Sequence, residues 1–270
     1  MTIPIYHVDA FTHEPFKGNP AAVCILPVSG NPIWMQHIAR EMNLSETAFL
    51  HGEQNEYSLR WFTPLVEVEL CGHATLASAH VLWESGLAKK GKPIAFHTLS
   101  GRLTAAGNEG WIELDFPANE LVPGDLTDTT LDALGVTPLA ILRSGEKVLI
   151  ELESEEEVRR VKPNFAALRK LPGRGIVITA RSETPGVDFV SRYFAPWIGV
   201  NEDPVTGSAH CMLGPYWQKK LAKNHLNALQ VSRRGGALKV RLSGDRVYIA
   251  GQAVTISRGE VTTPFIAESL

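Results

Sequence analysis

The chain has 270 residues, 44% of them hydrophobic and 20% charged, with a formal net charge of −3. That balance suits an ordinary globular protein with room for two domains, each with its own core, and it offers no basic surface for nucleic acid or membrane. Cys24, Cys71 and Cys211 are too few and too scattered for a disulfide framework or a Cys-rich metal site. No apolar run approaches a membrane span, and the N-terminus lacks the basic start and long apolar stretch of a secretory signal, so a cytoplasmic location is expected.

Residues 3–11 alternate into a first strand, and Gly18-Asn-Pro20 turns into an apolar strand over 21–26. Asn31-Pro32 opens a helix, with Asn at the cap and Pro in the first turn. Trp34, Ile38 and Met42 give it one apolar face, and it ends near Asn43. Residues 44–49 read as extended, with Leu44, Glu46 and Ala48 on one face. An acidic residue sharing a strand face with Leu and Ala is unusual. A strand over 57–62 leads to an apolar helix over 73–85, and a hairpin of 96–103 with 110–116 turns at 107–110. The stretch 116–125 holds two Pro, a Gly and no periodicity, and is the best domain boundary. Beyond it come helices over 127–135, 154–160 and 163–171, and strands over 148–152, 175–180 and 187–194. An apolar helix over 206–222, a hairpin about Ser243-Gly-Asp245 and a final strand over 253–256 complete the chain. One long apolar helix per strand-rich half predicts an α+β protein with sheets wrapped round a central helix, not a doubly wound sheet.

The two halves echo each other. Cys71-Gly-His-Ala-Thr-Leu-Ala-Ser-Ala-His80 ends in the Ser-Ala-His that closes Asp203-Pro-Val-Thr-Gly-Ser-Ala-His210, 130 positions on. At that offset His73 falls opposite Asp203. Arg60-Trp-Phe-Thr-Pro64 returns as Arg192-Tyr-Phe-Ala-Pro196 at an offset of 132. Gly101, Leu103, Ile112 and Leu114 return as Gly236, Leu238, Val247 and Ile249 at 135. Three echoes in one order argue for a duplicated fold. In each copy an extended segment meets a short polar loop and then an apolar helix, whose unpaired N–H groups suit a carboxylate or phosphate. Two such starts facing each other would hold a small anionic molecule.

Glu46 is the first candidate for chemistry, because a carboxylate among apolar neighbours can move protons near neutral pH. The plain alternative is a Glu that caps a turn or pairs with Arg40 or Arg60. His73, at a helix start, suits a neutral hydrogen-bond donor to substrate, or else a structural bond to a carbonyl. Asp203 reads as a partner to His73 or as a simple cap. Thr206, Gly207 and Ser208 offer two hydroxyls and a close backbone for a carboxylate, or merely tight helix packing. Cys71 suits an acid/base thiol. A two-thiol mechanism fails, since the 130 offset puts Asn201 opposite Cys71 and sends Cys211 to Val81, inside a helix. His80 and His210 lie within helices and read as packed residues.

Gly18-Asn-Pro-Ala-Ala-Val23, Asn43-Leu-Ser-Glu-Thr-Ala-Phe49, Cys71-Gly-His-Ala-Thr75 and Glu202-Asp-Pro-Val-Thr-Gly-Ser-Ala-His210 resemble the phenazine-biosynthesis isomerase (PhzF-like) family, most closely the branch containing the MAWD-binding protein. The likeness covers essentially the whole chain. It implies the diaminopimelate-epimerase-like fold: two pseudo-symmetric domains, each a barrel-like, mostly antiparallel sheet around a central helix, with the active site between them. The expected division is 1–116, completed by 258–270, and 117–257. In the phenazine enzyme a Glu shuttles a proton between two ring carbons without cofactor or metal. Glu46 matches that position, and His73, Asp203 and Ser208 match the assisting residues. Asn19 and the backbone at Gly72 and Gly207 are then expected to line the substrate pocket. Cys71 departs from the phenazine enzyme and matches the Cys-Gly-His of proline racemases.

The resulting expectation is a cofactor-independent isomerase acting on a small cyclic or amino carboxylate, with neither nucleic acid nor membrane as partner and a homodimer left open. Two rivals stand beside it. One is a catalytically silent binding or scaffold protein, the other a one-thiol epimerase using Cys71 with Glu46.

Overall fold

A computed structural model of the chain describes residues 2–268. It divides into two compact units, one of Met1–Asp115 with Ala250–Leu270, the other of Phe116–Ile249. No helix of the described residues is long and apolar enough to cross a membrane.

In chain order the first unit contains β1 (Ile3–Ala10), β2 (Asn19–Ile25), α1 (Pro32–Met42), β3 (Glu46–Glu53), β4 (Glu56–Phe62), β5 (Glu67–Val68), α2 (Gly72–Glu84), β6 (Ile94–Thr98), β7 (Gly101–Asn108) and β8 (Trp111–Pro117). The second unit contains β9 (Val122–Pro123), α3 (Asp128–Leu134), β10 (Ala140–Ser144), β11 (Lys147–Glu151), α4 (Glu155–Arg160), α5 (Phe165–Leu168), β12 (Gly175–Arg181), β13 (Phe189–Ala195), β14 (Val200–Asp203), α6 (Gly207–Leu221), β15 (His225–Gln230), β16 (Gly236–Ser243) and β17 (Arg246–Gly251). The last strand, β18 (Ala253–Val261), pairs with β1 from Ala10↔Ala253 to Ile3↔Val261.

That pairing corrects two expectations. The final strand runs on past 256, because exposed polar residues still bond to β1 through their backbones. The chain therefore rejoins the first unit at Ala250 rather than at 258. The predicted strand over 96–103 is likewise two strands, broken by a turn that ends at Gly101 with φ 90°. The strands β10 and β15 and the short strands β5, β9 and β14 are not among the expected elements.

Both units use one plan. In the first, β1 pairs antiparallel with β2, β2 parallel with β3, β3 antiparallel with β4, and β4 parallel with β6. In the second, β10, β11, β12, β13 and β15 repeat those four relationships in the same order. The central helices follow suit. α2 touches β1, β2, β3, β7 and β18, so the sheet curls round it. Its sequence is apolar or small on nearly every side, and His73 to Ala79, Val81 and Leu82 are buried, as a helix enclosed by a sheet requires. α6 is enclosed in the same way. Gly214 lies against Val240, Leu242 and Val247, and Trp217 stacks on Phe189 at 5.7 Å while its indole N–H donates to Thr179 at 3.0 Å.

The echoed Arg motif proves to be one device built twice. Arg60 on β4 makes a bidentate pair with Glu67 on β5 (2.7 and 2.8 Å) and lies 5.4 Å over Phe62. Arg192 on β13 pairs likewise with Glu202 on β14 (2.7 and 3.0 Å) and lies 5.0 Å over Phe194. Each Arg fixes the short strand that feeds a central helix.

α1 forms where its capping residues place it. The Asn31 side chain accepts from the N–H groups of Ile33 and Trp34, Pro32 opens the first turn, and Asn43 ends the helix in the left-handed conformation. Such a cap contributes roughly 1 kcal/mol. Trp34, Met35, Ile38 and Ala39 then pack on Phe49 and Phe62. Phe49 faces α1, so the alternate residues of β3, Glu46, Ala48 and Leu50, face the α2 side.

Candidate functional site

The first unit gathers five of the expected residues. Gly18 adopts φ 65°, and a Cβ there would meet the Ala10 carbonyl oxygen at 2.1 Å, so only glycine makes the turn that delivers Asn19. Asn19 is fully buried, and its Nδ2 lies 3.3 Å from Nδ1 of His73. Gly72 is the first residue of α2 and His73 the second. Cys71 occupies the cap with no side-chain cap bond, and its Sγ lies 3.5 Å from the same Nδ1. On the other side of the ring, His73 Nε2 stands 3.2 Å from Glu46 Oε2. The two atoms are close but misaligned, and each is buried with no hydrogen-bond partner. The imidazole thus bridges a thiol and a carboxylate through its two nitrogens.

The charges in this cluster constrain one another. Burial pushes the Cys71 thiol up, the Glu46 carboxylate adds to that, and His73 only partly offsets it, so Cys71 is held as a thiol. Burial opposes a charge on His73, but the anionic forms of Cys71 and Glu46 outweigh it and raise His73 well above its ordinary value. An Asn19 amide presenting NH2 to Nδ1 suits the neutral ring, and the same amide turned over presents its oxygen to an imidazolium.

The second unit gathers the others at the start of α6. Thr206 caps the helix, and its hydroxyl donates to Asp203 Oδ2 at 2.6 Å. Buried Gln230 braces the loop: its oxygen accepts from the Thr206 N–H at 2.8 Å and its amide donates to the Asp203 carbonyl at 2.8 Å. Gly207 begins the helix and Ser208 follows, with its Oγ accepting from Lys147 Nζ at 2.9 Å. Lys147 has no carboxylate within ion-pair distance among the described residues. Burial holds its ammonium below the ordinary value; the Arg174 charge adds to that and Asp203 pulls the other way. Burial, with Asp203 adding, pushes Tyr193 up to about 12.

Lys147 and Gln230 are absent from the sequence-based candidates. Each sits on a strand as an ordinary polar residue, and only the fold brings it to the helix start. His80 and His210 are packed as expected. His80 Nε2 is 3.1 Å from the Thr255 hydroxyl, and fully buried His210 bonds the Thr206 carbonyl at 2.9 Å and is pushed down to about 4 by burial. A cavity of about 480 Å³ lined by His80, Trp83, Trp111 and Ile112 shares none of the candidate residues.

Element positions also revise the internal alignment. Gly72 and Gly207 both begin their helices and lie 135 apart, as Glu67 and Glu202 do. His73 therefore corresponds to Ser208, not Asp203, and Cys71 corresponds to Thr206. The Ser-Ala-His echo at 130 is out of register with the fold by more than a helical turn. In β3, Thr47 pairs with Phe62, and in β12 Ile176 pairs with Phe194, so Glu46 corresponds to Gly175. Their parallel neighbours, Ala21 and Lys147, correspond likewise.

The sequence profile of the family described as Phenazine biosynthesis-like protein matches residues 8–259. An uncharacterized isomerase of Halalkalibacterium halodurans is 56% identical over 266 residues, covering 97% of this chain and 99% of that protein. The human phenazine biosynthesis-like domain-containing protein is 42% identical, covering 97% of this chain and 100% of its own. The crystal structure of a PhzF-family phenazine biosynthesis protein from Enterococcus faecalis superimposes with a TM-score of 0.92 at 44% identity, over 97% of this chain and 99% of that one.

Proposed function

The chain belongs to the phenazine biosynthesis-like protein family, with the diaminopimelate-epimerase-like fold, and is an isomerase. From that premise we propose that it moves a proton on a small cyclic or amino carboxylate, with Glu46 as acid and base. One observation carries the assignment: Glu46 Oε2 lies buried, 3.2 Å from His73 Nε2 and without a hydrogen bond. A carboxylate shielded from water with an incomplete hydrogen-bonding shell is set to take a proton from carbon. The electron pair of the broken C–H bond passes into the substrate's conjugated system, and the newly formed carboxylic acid returns the proton at a second position. Nothing is oxidised or reduced, and the enzyme ends as it began. His73 keeps the carboxylate in place and steadies it while ionised.

The second unit has an anion site of its own: the amides at the start of α6, Ser208 Oγ and the Lys147 ammonium suit a carboxylate. The internal alignment sets the two halves apart, since Gly175 and Ser208 stand where the first unit has Glu46 and His73. One half carries an acid/base and the other does not, which favours one proton carrier over a symmetric pair.

Deuterium incorporation into candidate cyclic amino and hydroxy acids in heavy water tests the proposal. Glu46→Gln should keep the fold and lower exchange by about 100-fold or more. Undiminished exchange in that variant ends the assignment. The position of Cys71 on the far ring nitrogen favours a second reading, in which the thiol shares in the proton transfer. Substrate-protected loss of activity on alkylation supports it, and full activity in Cys71→Ala removes it.

A further inference from the structure

The side chains of Glu46, Cys71 and His73 have a property that proton transfer does not use: together they form a ligand set. We propose that they bind a divalent cation of the zinc type, and that the ion shuts the enzyme off by engaging Glu46. Carboxylate, imidazole and thiolate are the donors zinc takes, and hard ions such as magnesium and calcium avoid the sulfur.

Two observations carry the site. One donor atom from each residue can be chosen so that all three lie within 4.8 Å of one another, with Cys71 and His73 buried. Independently, His73 Nε2 and Glu46 Oε2 are both buried without a hydrogen-bond partner and stand 3.2 Å apart. Tetrahedral zinc at about 2.0–2.1 Å from nitrogen and oxygen needs those donors roughly 3.3 Å apart. Sulfur lies 3.5 Å from Nδ1, the other ring nitrogen, so for it to join, the Cys71 side chain has to turn and the longest separation in the cluster has to close by roughly 1 Å. Glu46 is the most open of the three, with its side chain 19% exposed, and gives the ion its way in. On binding, Cys71 loses its thiol proton and His73 the proton on Nε2, both to solvent, and no electron moves. Three protein ligands leave a fourth position for water or for an anionic group of a substrate.

The binding half of this proposal is independent of the isomerase assignment; only the inhibition half rests on it. Titration of the reduced protein with Co²⁺ separates them. Binding at this site gives the intense visible bands of tetrahedral cobalt and a near-ultraviolet sulfur-to-cobalt band, both displaced by Zn²⁺. Cys71→Ala should abolish the sulfur band, although Cys24 and Cys211 remain. Glu46→Gln should weaken binding at least tenfold and shift the visible bands, so a poorly folding Cys71→Ala still leaves a decisive variant. The same Zn²⁺ concentrations should abolish proton exchange, with recovery on chelation. Absence of a sulfur band, or one that survives Cys71→Ala, overturns the site. Cobalt binding without loss of exchange overturns the regulation and leaves the site standing.

Discussion

Glu46 and Gly175 occupy the same place in the two units, each at the start of a strand that pairs antiparallel with the Arg-bearing strand beside it. The glycine is there for a reason: a Cβ at position 175 would lie 2.2 Å from the Tyr193 hydroxyl oxygen and 2.8 Å from its ring carbon Cζ. The ring of Tyr193 thus fills the space that a side chain takes in the first unit. Gly175→Ala should therefore destabilise the protein by about 1–3 kcal/mol through overpacking. Tyr193→Phe in the same chain should recover part of the loss, because the nearest clashing atom is gone. Thermal unfolding of the two single variants and the double variant measures the coupling. An equal cost of Gly175→Ala in both backgrounds would mean that the hydroxyl is not what excludes the side chain.

Much of this arrangement is legible in the sequence, for identifiable reasons. Local signals that act within a few residues read out well: Asn31, Pro32 and Asn43 bound α1, and Thr127 and Gly135 bound α3. The oddity of Glu46 among apolar neighbours is also local, since a strand's period of two puts it on the face toward α2. What escapes is set by tertiary pairing. Lys147 lies just outside the strand read over 148–152 and takes its place only when β11 is laid beside β12, and β15, absent from the expected elements, is held by β13 and β16. The Ser-Ala-His echo misleads because identical residues in two helices need not share a register. Small residues and histidines pack well at several turns of an enclosed helix.

Lys147 provides a test that leaves the fold alone. Its ammonium is held off its ordinary value by burial and donates to a neutral hydroxyl, Ser208 Oγ, at 2.9 Å. If it receives the substrate's carboxylate, Lys147→Met should raise KM by about 10–100-fold, the worth of one charge-assisted hydrogen bond. The change in kcat should be much smaller, and the thermal midpoint should hold or rise, since a half-buried charge has been replaced by a thioether of similar length. A fall in kcat with KM unchanged would instead place the lysine in the transition state.

The paired Arg devices should differ in strength. Arg192 has its side chain 11% exposed and, besides Glu202, donates to the Val158 and Val161 carbonyls at 3.1 and 2.7 Å. Arg60 is 21% exposed and has Glu67 as its bidentate partner, with Glu268 more distant at 3.9 Å. Removing one member of a buried pair leaves a charge unpaired, so Arg192→Met should cost about 3–5 kcal/mol. Arg60→Met should cost less, about 1–2 kcal/mol, because the two glutamates left behind are about equally exposed, whereas Arg192 also leaves two backbone carbonyls without their donor. Urea midpoints of the two variants give the order, and the reverse order would show that the carbonyl bonds of Arg192 add nothing.

Acid should act through Glu155. Burial pushes this carboxyl up, but the Ser182 hydroxyl, Arg159 and the Glu183 N–H outweigh it and hold the group at about 2 instead of 4.5. The bonds are short: 2.7 Å from Ser182 Oγ, 2.9 Å from the Glu183 N–H and 2.7 Å from Arg159 Nη2. Because the folded value lies below the unfolded one, the unfolded chain binds the proton first as pH falls. The stabilisation is complete above 4.5 and is lost progressively as pH drops toward 2. Glu155→Gln should lower stability near neutral pH and flatten the decline between about pH 5 and about pH 3. Urea midpoints of both proteins across that window check the sign: parallel declines would place the acid sensitivity at some other carboxylate, and a Glu155→Gln protein that grows less stable toward neutral pH would reverse the linkage altogether.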